Sequence, residues 1–186
     1  MNFEHTKKTK ELIGLVSNFI DQKIIPREAE YVQSMNSFRE SGNPWQVPEV
    51  LYELKRDARV EGLWNFSLTG NEGYGLTNLE FAPLAEMMGV GWTSEVFNSS
   101  APDAGNMEVL DKYGSDYQKE KWLKPLLEGQ IRSAFAMTEP NVASSDATNI
   151  ASTISKDGDD YLITVSYTHL RAHETRGNLV CRLLLE

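Results

Sequence analysis

Between Ala134 and Asp146 the chain reads A-F-A-M-T-E-P-N-V-A-S-S-D, a short apolar run that ends in Thr138, Glu139 and Pro140 and passes into a turn of small polar residues. Thr138 offers a hydroxyl and a backbone N–H, Ala136 and Met137 offer backbone groups, Phe135 offers a flat ring, and Ser144 and Ser145 add hydroxyls. Donors and acceptors set beside an aromatic face suit the polar edge of a planar heteroaromatic ligand. The same residues also suit a plain strand end, in which Thr138 and Glu139 finish the strand, Pro140 and Asn141 turn it, and Ser144 or Ser145 caps the next segment.

A second grouping lies near the C-terminus, where His169 and His173 have the spacing that places two imidazoles on one helix face, with Cys181 the sole thiol of the chain. No Glu follows the first histidine and no third ligand is evident, so no metal site is expected. A single cysteine also rules out an intrachain disulfide and fits a reducing compartment.

The elements that must carry these residues change in kind along the chain. Leu12, Ile13, Val16, Phe19, Ile20 and Ile24 follow the three-and-four spacing of an amphipathic helix from Lys10 to Ile25, which Pro26 is expected to end. Glu30 to Gln46 mixes Gly, Asn, Pro and charge and reads as an exposed connection. Pro48 then suits the first position of a second helix, with Val50, Leu51, Leu54, Ala58 and Val60 inward and Gly62 as its stop. Phe66 to Leu76, with Gly70, Gly73 and Gly75, reads as a loop needing left-handed angles or a close approach. A third helix is expected from Thr77 to Met88, its methionines filling core. Two more are expected between Ala104 and Gly129, hinged at Gly114, with Lys119, Glu120, Lys121 and Lys124 on a solvated face.

After Gly129 the pattern becomes that of strands. Ser133 to Met137 is a short candidate, Ile150 to Ser155 alternates, and Asp157-Gly158 signals a hairpin turn before Tyr161 to Thr164. The expected organisation is mainly α, with a helical domain over 1–130 followed over 131–164 by the incomplete opening of a β-domain. Two or three strands cannot bury a sheet face unaided. Val165 to Glu186 breaks the pattern; it resembles the peptide that results when sequencing-adapter DNA is translated in frame onto a shortened gene, and 165–186 is read as a non-native tail.

A net charge of -9 and the lack of clustered Lys and Arg argue against a nucleic-acid or anionic-membrane surface. The apolar stretch near the N-terminus is broken by Glu11, Ser17, Asn18 and Asp21, so neither a secretory leader nor a membrane span is expected. The composition is that of a soluble, intracellular protein.

The order T-E-P, a small-residue turn, then S-D, preceded by an aromatic, resembles the flavin-binding signature of the acyl-CoA dehydrogenase family. G-Y-G-L-T-N-L-E-F-A-P-L-A-E-M-M-G (73–89) and N-M-E-V-L-D-K-Y-G-S-D-Y-Q-K-E-K-W-L-K-P-L-L-E-G (106–129) fall in the family's order upstream, so the resemblance covers almost everything up to Thr164. F-A-M-T-E-P with V-A-S-S-D is most similar to the branch of family members ten and eleven. The resemblance implies a helical bundle domain of acyl-CoA dehydrogenase type, followed by the truncated start of a β-barrel-like middle domain.

It also implies FAD as cofactor, with contacts on Phe135, Ala136, Met137 and Thr138, Thr138 hydrogen-bonding the isoalloxazine ring. A family serine touches both flavin and acyl-CoA. The turn is one residue longer than the common form, so the role falls to Ser144 or Ser145, with Ser145 favoured because it precedes Asp146. Phe135 stands where many members have tyrosine. The implied reaction removes a proton from the acyl-CoA α-carbon with a glutamate base while the flavin accepts hydride from the β-carbon, giving a trans-2-enoyl-CoA. That base belongs to a C-terminal helical domain beyond this sequence, and Glu139 reads as structural rather than as the base.

Past Thr164 the family continues into a W-x-[TS] segment under the flavin, where this chain has Val165-Ser166-Tyr167. Weak or absent FAD binding and no turnover are therefore expected of these 186 residues. By resemblance, electron-transfer flavoprotein is the acceptor, the full-length protein is a homo-oligomer, and its compartment is the cytoplasm, or the mitochondrion or peroxisome in a eukaryote. Two other readings stand beside this one: a non-catalytic helical interaction module, and an acyl-CoA oxidase-like or nitroalkane oxidase-like flavoenzyme.

Overall fold

Helix α1 (Lys7–Phe19) begins where Thr6 Oγ1 accepts the Thr9 N–H, and its stripe Leu12, Val16 and Phe19 is buried. The computed structural model describes residues 4–68, 73–90, 92–135, 139, 142–143 and 146–164. The chain divides after Gln130 into two compact units.

The helical path does not stop at Pro26. It passes through a π turn (Ile20–Ile24) and a 3₁₀ turn (Ile25–Arg27) into α2 (Glu28–Glu40). The Ile25 N–H reaches back to Ile20 O, whereas the Glu28 N–H reaches only to Ile25 O. The bond register therefore changes around Pro26, which has no N–H to contribute. The exposed connection expected from Glu30 to Gln46 is corrected accordingly, since most of it is helix. Tyr31, Met35 and Phe38 form the half-buried side of α2, and the Tyr31 ring stacks on Trp92 at 4.2 Å with 5° between planes. Arg27 ties the start of α2 to the next helix through Glu30 (2.9 Å) and Glu53 (2.6 Å).

In α3 (Glu49–Val60) Pro48 is the N-cap rather than the first helical residue. Val50, Leu51, Leu54 and Ala58 face the core as expected, but Val60 does not: at 82% exposure it lies past the point where the stripe turns outward. Lys55, on the buried side, reaches Glu95 at 3.1 Å, and Ser100 Oγ donates to the other Glu95 oxygen at 2.9 Å. Both side chains of that ion pair are largely removed from water.

Helix α4 (Asn78–Met88) opens with a reciprocal capping box between Thr77 and Glu80 and carries Pro83 inside it. The Glu80 carboxylate also accepts from Thr6 Oγ1 at 3.1 Å, so one acid joins the caps of α1 and α4. The Thr77 backbone N–H, then the Thr77 and Thr6 hydroxyls, lower the Glu80 pKa below its ordinary 4.5. A depressed carboxyl contributes stability above its unfolded pKa and loses it as pH falls through the folded value. The stability advantage of the native chain over Glu80→Gln should therefore be full above the ordinary 4.5 and shrink as pH falls below it, through the lowered folded value. Paired thermal melts across that range check it, and a pH-independent difference would contradict it.

Helix α5 (Thr93–Val96) leads into Phe97 and Asn98, and α6 (Asp103–Tyr113) buries Met107 and Leu110 while Val109 and Tyr113 stay exposed. Beyond Gly114, Ser115 caps α7 (Asp116–Gln118), a π turn (Lys119–Leu123) follows, and α8 (Lys124–Leu127) ends the unit. Lys121 is not simply solvated, since its ammonium lies over the rings of Tyr117 (5.2 Å) and Trp122 (4.8 Å).

The core centres on Phe97, whose ring meets Phe19 edge-on at 5.4 Å and Phe66 at 5.9 Å. Beside it two asparagines adopt left-handed backbone, Asn65 at φ 58° and Asn98 at φ 51°. Asn98 Nδ2 donates to Asn65 Oδ1 (2.7 Å) and Leu126 O (3.0 Å), while Asn65 Nδ2 and Trp64 Nε1 both donate to Leu127 O. The last carbonyls of α8 are thus satisfied by side chains from two distant turns. Gly129 packs against the same place: a Cβ there would lie 2.9 Å from Trp64 Cζ2.

In the second unit the strand expected from Ser133 to Met137 is not formed at Ser133–Phe135, and Ala136 and Met137 lie outside the described residues. Glu139 instead makes an isolated antiparallel bridge with Val142. The hairpin pairs β1 (Thr153–Asp157) with β2 (Asp160–Thr164), in register from Thr153↔Thr164 to Asp157↔Asp160. Gly158 and Asp159 make its turn, with Gly158 at φ 64°. Pairing begins at Thr153 rather than Ile150. Ile154, Tyr161 and Leu162 are exposed and Ile163 is half-buried, so among the described residues the hairpin buries little apolar surface. Among the described residues no helix is long and apolar enough to cross a membrane.

Candidate functional site

The stretch from Ala134 to Asp146 enters with Phe135, whose ring is 68% exposed. Ala136, Met137, Thr138, Ser144 and Ser145, the remaining sequence-identified contacts, lie outside the described residues, as do Pro140 and Asn141. Two carboxylates frame the stretch. Glu139 is buried at 5% exposure, and its Oε2 accepts the Ala151 N–H at 3.1 Å. Its Oε1 accepts both the Ser152 N–H at 2.9 Å and the Ser152 hydroxyl at 2.6 Å. Both oxygens are thus engaged by donors from two consecutive residues, which is what makes burial of a carboxylate tolerable.

Asp146 closes the other end. Its Oδ1 accepts from the Thr148 N–H (3.0 Å) and hydroxyl (2.7 Å), and Asn149 Nδ2 donates to its Oδ2 (3.2 Å). These contacts cap the 3₁₀ turn Ala147–Asn149, and the Thr148 hydrogen bonds lower the Asp146 pKa. Glu139 and Asp146 both serve the backbone of their own loop, which agrees with reading Glu139 as structural. The partners of Glu139 at 151 and 152 carry no sequence signal, because a contact across a dozen residues between a glutamate and two amides leaves no periodic trace.

The glycine-rich loop belongs to the first unit. Gly73 allows a close approach, since a Cβ there would meet Leu68 O at 2.4 Å, and Gly75 takes φ 58°, while Gly70 lies outside the described residues. His169, His173 and Cys181 lie outside them as well. Among the described residues no group of three or more His, Cys, Asp or Glu side chains is placed to hold a metal ion. Sequence reasoning missed the Lys55–Glu95 pair and the Asn65–Asn98 pair, each formed between turns or helices more than thirty residues apart.

Residues 6–130 match the family model described as the acyl-CoA dehydrogenase N-terminal domain. FadE2 of Mycobacterium tuberculosis, named "Probable acyl-CoA dehydrogenase", is 46% identical over 169 residues, covering 88% of this chain and 40% of its own length. Human acyl-CoA dehydrogenase family member 11 is 48% identical over 166 residues, covering 87% of this chain and 20% of its own length. A solved structure from Mycobacterium abscessus, proposed to be an acyl-CoA dehydrogenase, superposes with a TM-score of 0.80 at 48% identity, over 86% of this chain and 41% of that one. The chain therefore spans about two fifths or less of the length of these relatives, and its mainly helical fold is that of the acyl-CoA dehydrogenase N-terminal domain. With the family model matched along the whole helical unit and relatives matched at nearly half of all positions, the chain belongs to the acyl-CoA dehydrogenase family.

Proposed function

We propose that this chain is the N-terminal helical domain (1–130) and the opening of the middle domain (131–164) of an FAD-dependent acyl-CoA dehydrogenase. The observation that carries the proposal is the continuous match over 6–130, extended by relatives that cover 88% and 87% of the chain.

The donor chemistry of the loop fits a flavin edge. Phe135 presents an open ring, Ala136, Met137 and Thr138 supply backbone groups and a hydroxyl, and Ser144 or Ser145 supplies the hydroxyl shared with an acyl-CoA, Ser145 being the better placed in sequence. FAD, when bound, supplies the two-electron acceptor for α,β-dehydrogenation of the acyl thioester. The chain's own part is to hold the flavin edge and the thioester in register and to exclude water from them. It does not supply the base: Glu139 and Asp146 are both committed to backbone donors. The base lies in a segment C-terminal to this chain, whose helices also join subunits into a homo-oligomer. Electron-transfer flavoprotein takes the electrons, and the enzyme works inside the cell.

The 186-residue chain should bind FAD weakly and turn over no acyl-CoA. Flavin fluorescence titration and dye-coupled assays test both halves. A purified chain that retains stoichiometric yellow flavin and reduces an acceptor dye with acyl-CoA would overturn the incomplete-site reading.

A further inference from the structure

We propose that α6–α8 form a lobe that opens as one unit from the α1–α5 core, latched shut by side-chain donors on the last carbonyls of α8. The lobe lies wholly within the helical unit, so its behaviour does not depend on the flavin reading.

The apolar side chains of the helical unit fall into two groups. The core cluster runs from Leu12 in α1 through Leu54 in α3 and Leu84 in α4 to Phe97, and among the described residues it takes in no side chain beyond Phe97. The buried side chains of the later helices, Met107, Leu110, Leu123 and Leu126, lie outside it. Helix α6 instead packs against the π turn Lys119–Leu123 and against α8. The ion pairs Lys112–Glu108, Lys119–Asp111 and Lys124–Glu120 also stay within the lobe.

Where the two groups meet, the junction is polar and directional. Asn98 Nδ2 donates to Leu126 O, Asn65 Nδ2 and Trp64 Nε1 donate to Leu127 O, and Arg59 Nη1 donates to Glu128 O at 3.3 Å. Three consecutive carbonyls at the end of α8 are thus held from the core side. Both asparagines are buried and both take left-handed backbone, which Asn tolerates while still carrying a donor. Gly129 fits the Trp64 ring so closely that the latch closes in one arrangement only. Opening such a junction trades protein hydrogen bonds for hydrogen bonds to water at small net cost, whereas parting the core exposes apolar surface throughout. The lobe should therefore open well before the core unfolds.

Native-state hydrogen exchange of the full 186-residue chain in graded urea tests the latch. Amides of α6–α8 should exchange through an opening about a hundredfold more frequent than that of α1 and α3, with a shallower dependence on urea. One shared opening for all these helices would overturn the proposal. Val16→Ala, a truncation inside the core, should speed exchange in α1 and α3 about tenfold and leave α6–α8 unchanged, because the core is still intact when the lobe opens. Equal acceleration in both regions would overturn it too. Asn98→Gly keeps the left-handed backbone and removes the donor, while Gly129→Ala drives a methyl against the Trp64 ring. Each should speed exchange in α6–α8 about tenfold. Native exchange rates there, in whichever of the two variants folds, would show that the clamp is not the latch. If neither folds, the native chain and Val16→Ala decide.

Discussion

Replacing Phe97 by alanine should destabilise the helical unit by about 3–5 kcal/mol, the cost typical of deleting a fully buried aromatic ring. Phe97 is 0% exposed and its ring contacts Phe19 from α1 and Phe66 from the loop after α3. Removing it opens a void where three segments meet, and rigid helices at their registers cannot close onto it without moving their other buried side chains. The Phe97 carbonyl also accepts the Asn65 N–H at 3.1 Å, so relaxation of this backbone would strain the asparagine pair as well. Urea unfolding followed by helical circular dichroism measures the loss. Phe97→Leu should show a clearly smaller loss. A Phe97→Ala change below about 1 kcal/mol would mean that the cluster of rings does not hold the unit together.

The second large effect is expected at Glu95. Truncating it to alanine leaves the Lys55 ammonium in a site where the two side chains of the pair retain only 10% and 16% of their exposure. Breaking a buried pair from one side typically costs about 3–5 kcal/mol, and residual solvent access places this one at about 3 kcal/mol. The Trp64 ring, 5.9 Å from the Lys55 nitrogen, offers a weak substitute partner. Removing both charges should behave differently. Lys55→Met with Glu95→Leu should recover most of the lost stability, because neither ion then has to be stripped of water. Equal losses in the single and double variants would show that the ion pair is not the source of the effect.

The helices whose apolar residues recur without interruption were legible in the sequence. Leu12, Val16 and Phe19 fixed the inward face of α1, and Val50, Leu51, Leu54 and Ala58 that of α3. Helix α2 was not, for two physical reasons. Its inward stripe is Tyr31, Met35 and Phe38, diluted by Gln33, Ser34, Asn36 and Ser37, and Pro26 precedes it. A proline usually ends a helix because it lacks a donor and crowds the preceding turn. Here a switch from five-residue to three-residue spacing spares that donor, a solution that residue propensities do not encode. At the loop from Ala134 to Asp146 the residue types pointed to a ligand edge and to Glu139 as a structural acid. The two amides it holds could not be read, because they become its neighbours only when the chain turns back at Ala147–Asn149.

The asparagine pair has a bearing on how the protein ages chemically. Asn98 contributes one nitrogen to two oxygen acceptors, Asn65 Oδ1 and Leu126 O, the second of which also accepts the Gly129 N–H. Hydrolysis of that amide to a carboxylate would exchange the shared donor for an oxygen facing two oxygens, in a position only 4% exposed. A change of one atom would then convert a cohesive junction into a repulsive one without altering the length of the chain. The junction between the two turns and the end of α8 is sensitive in this way to the covalent persistence of one side-chain amide.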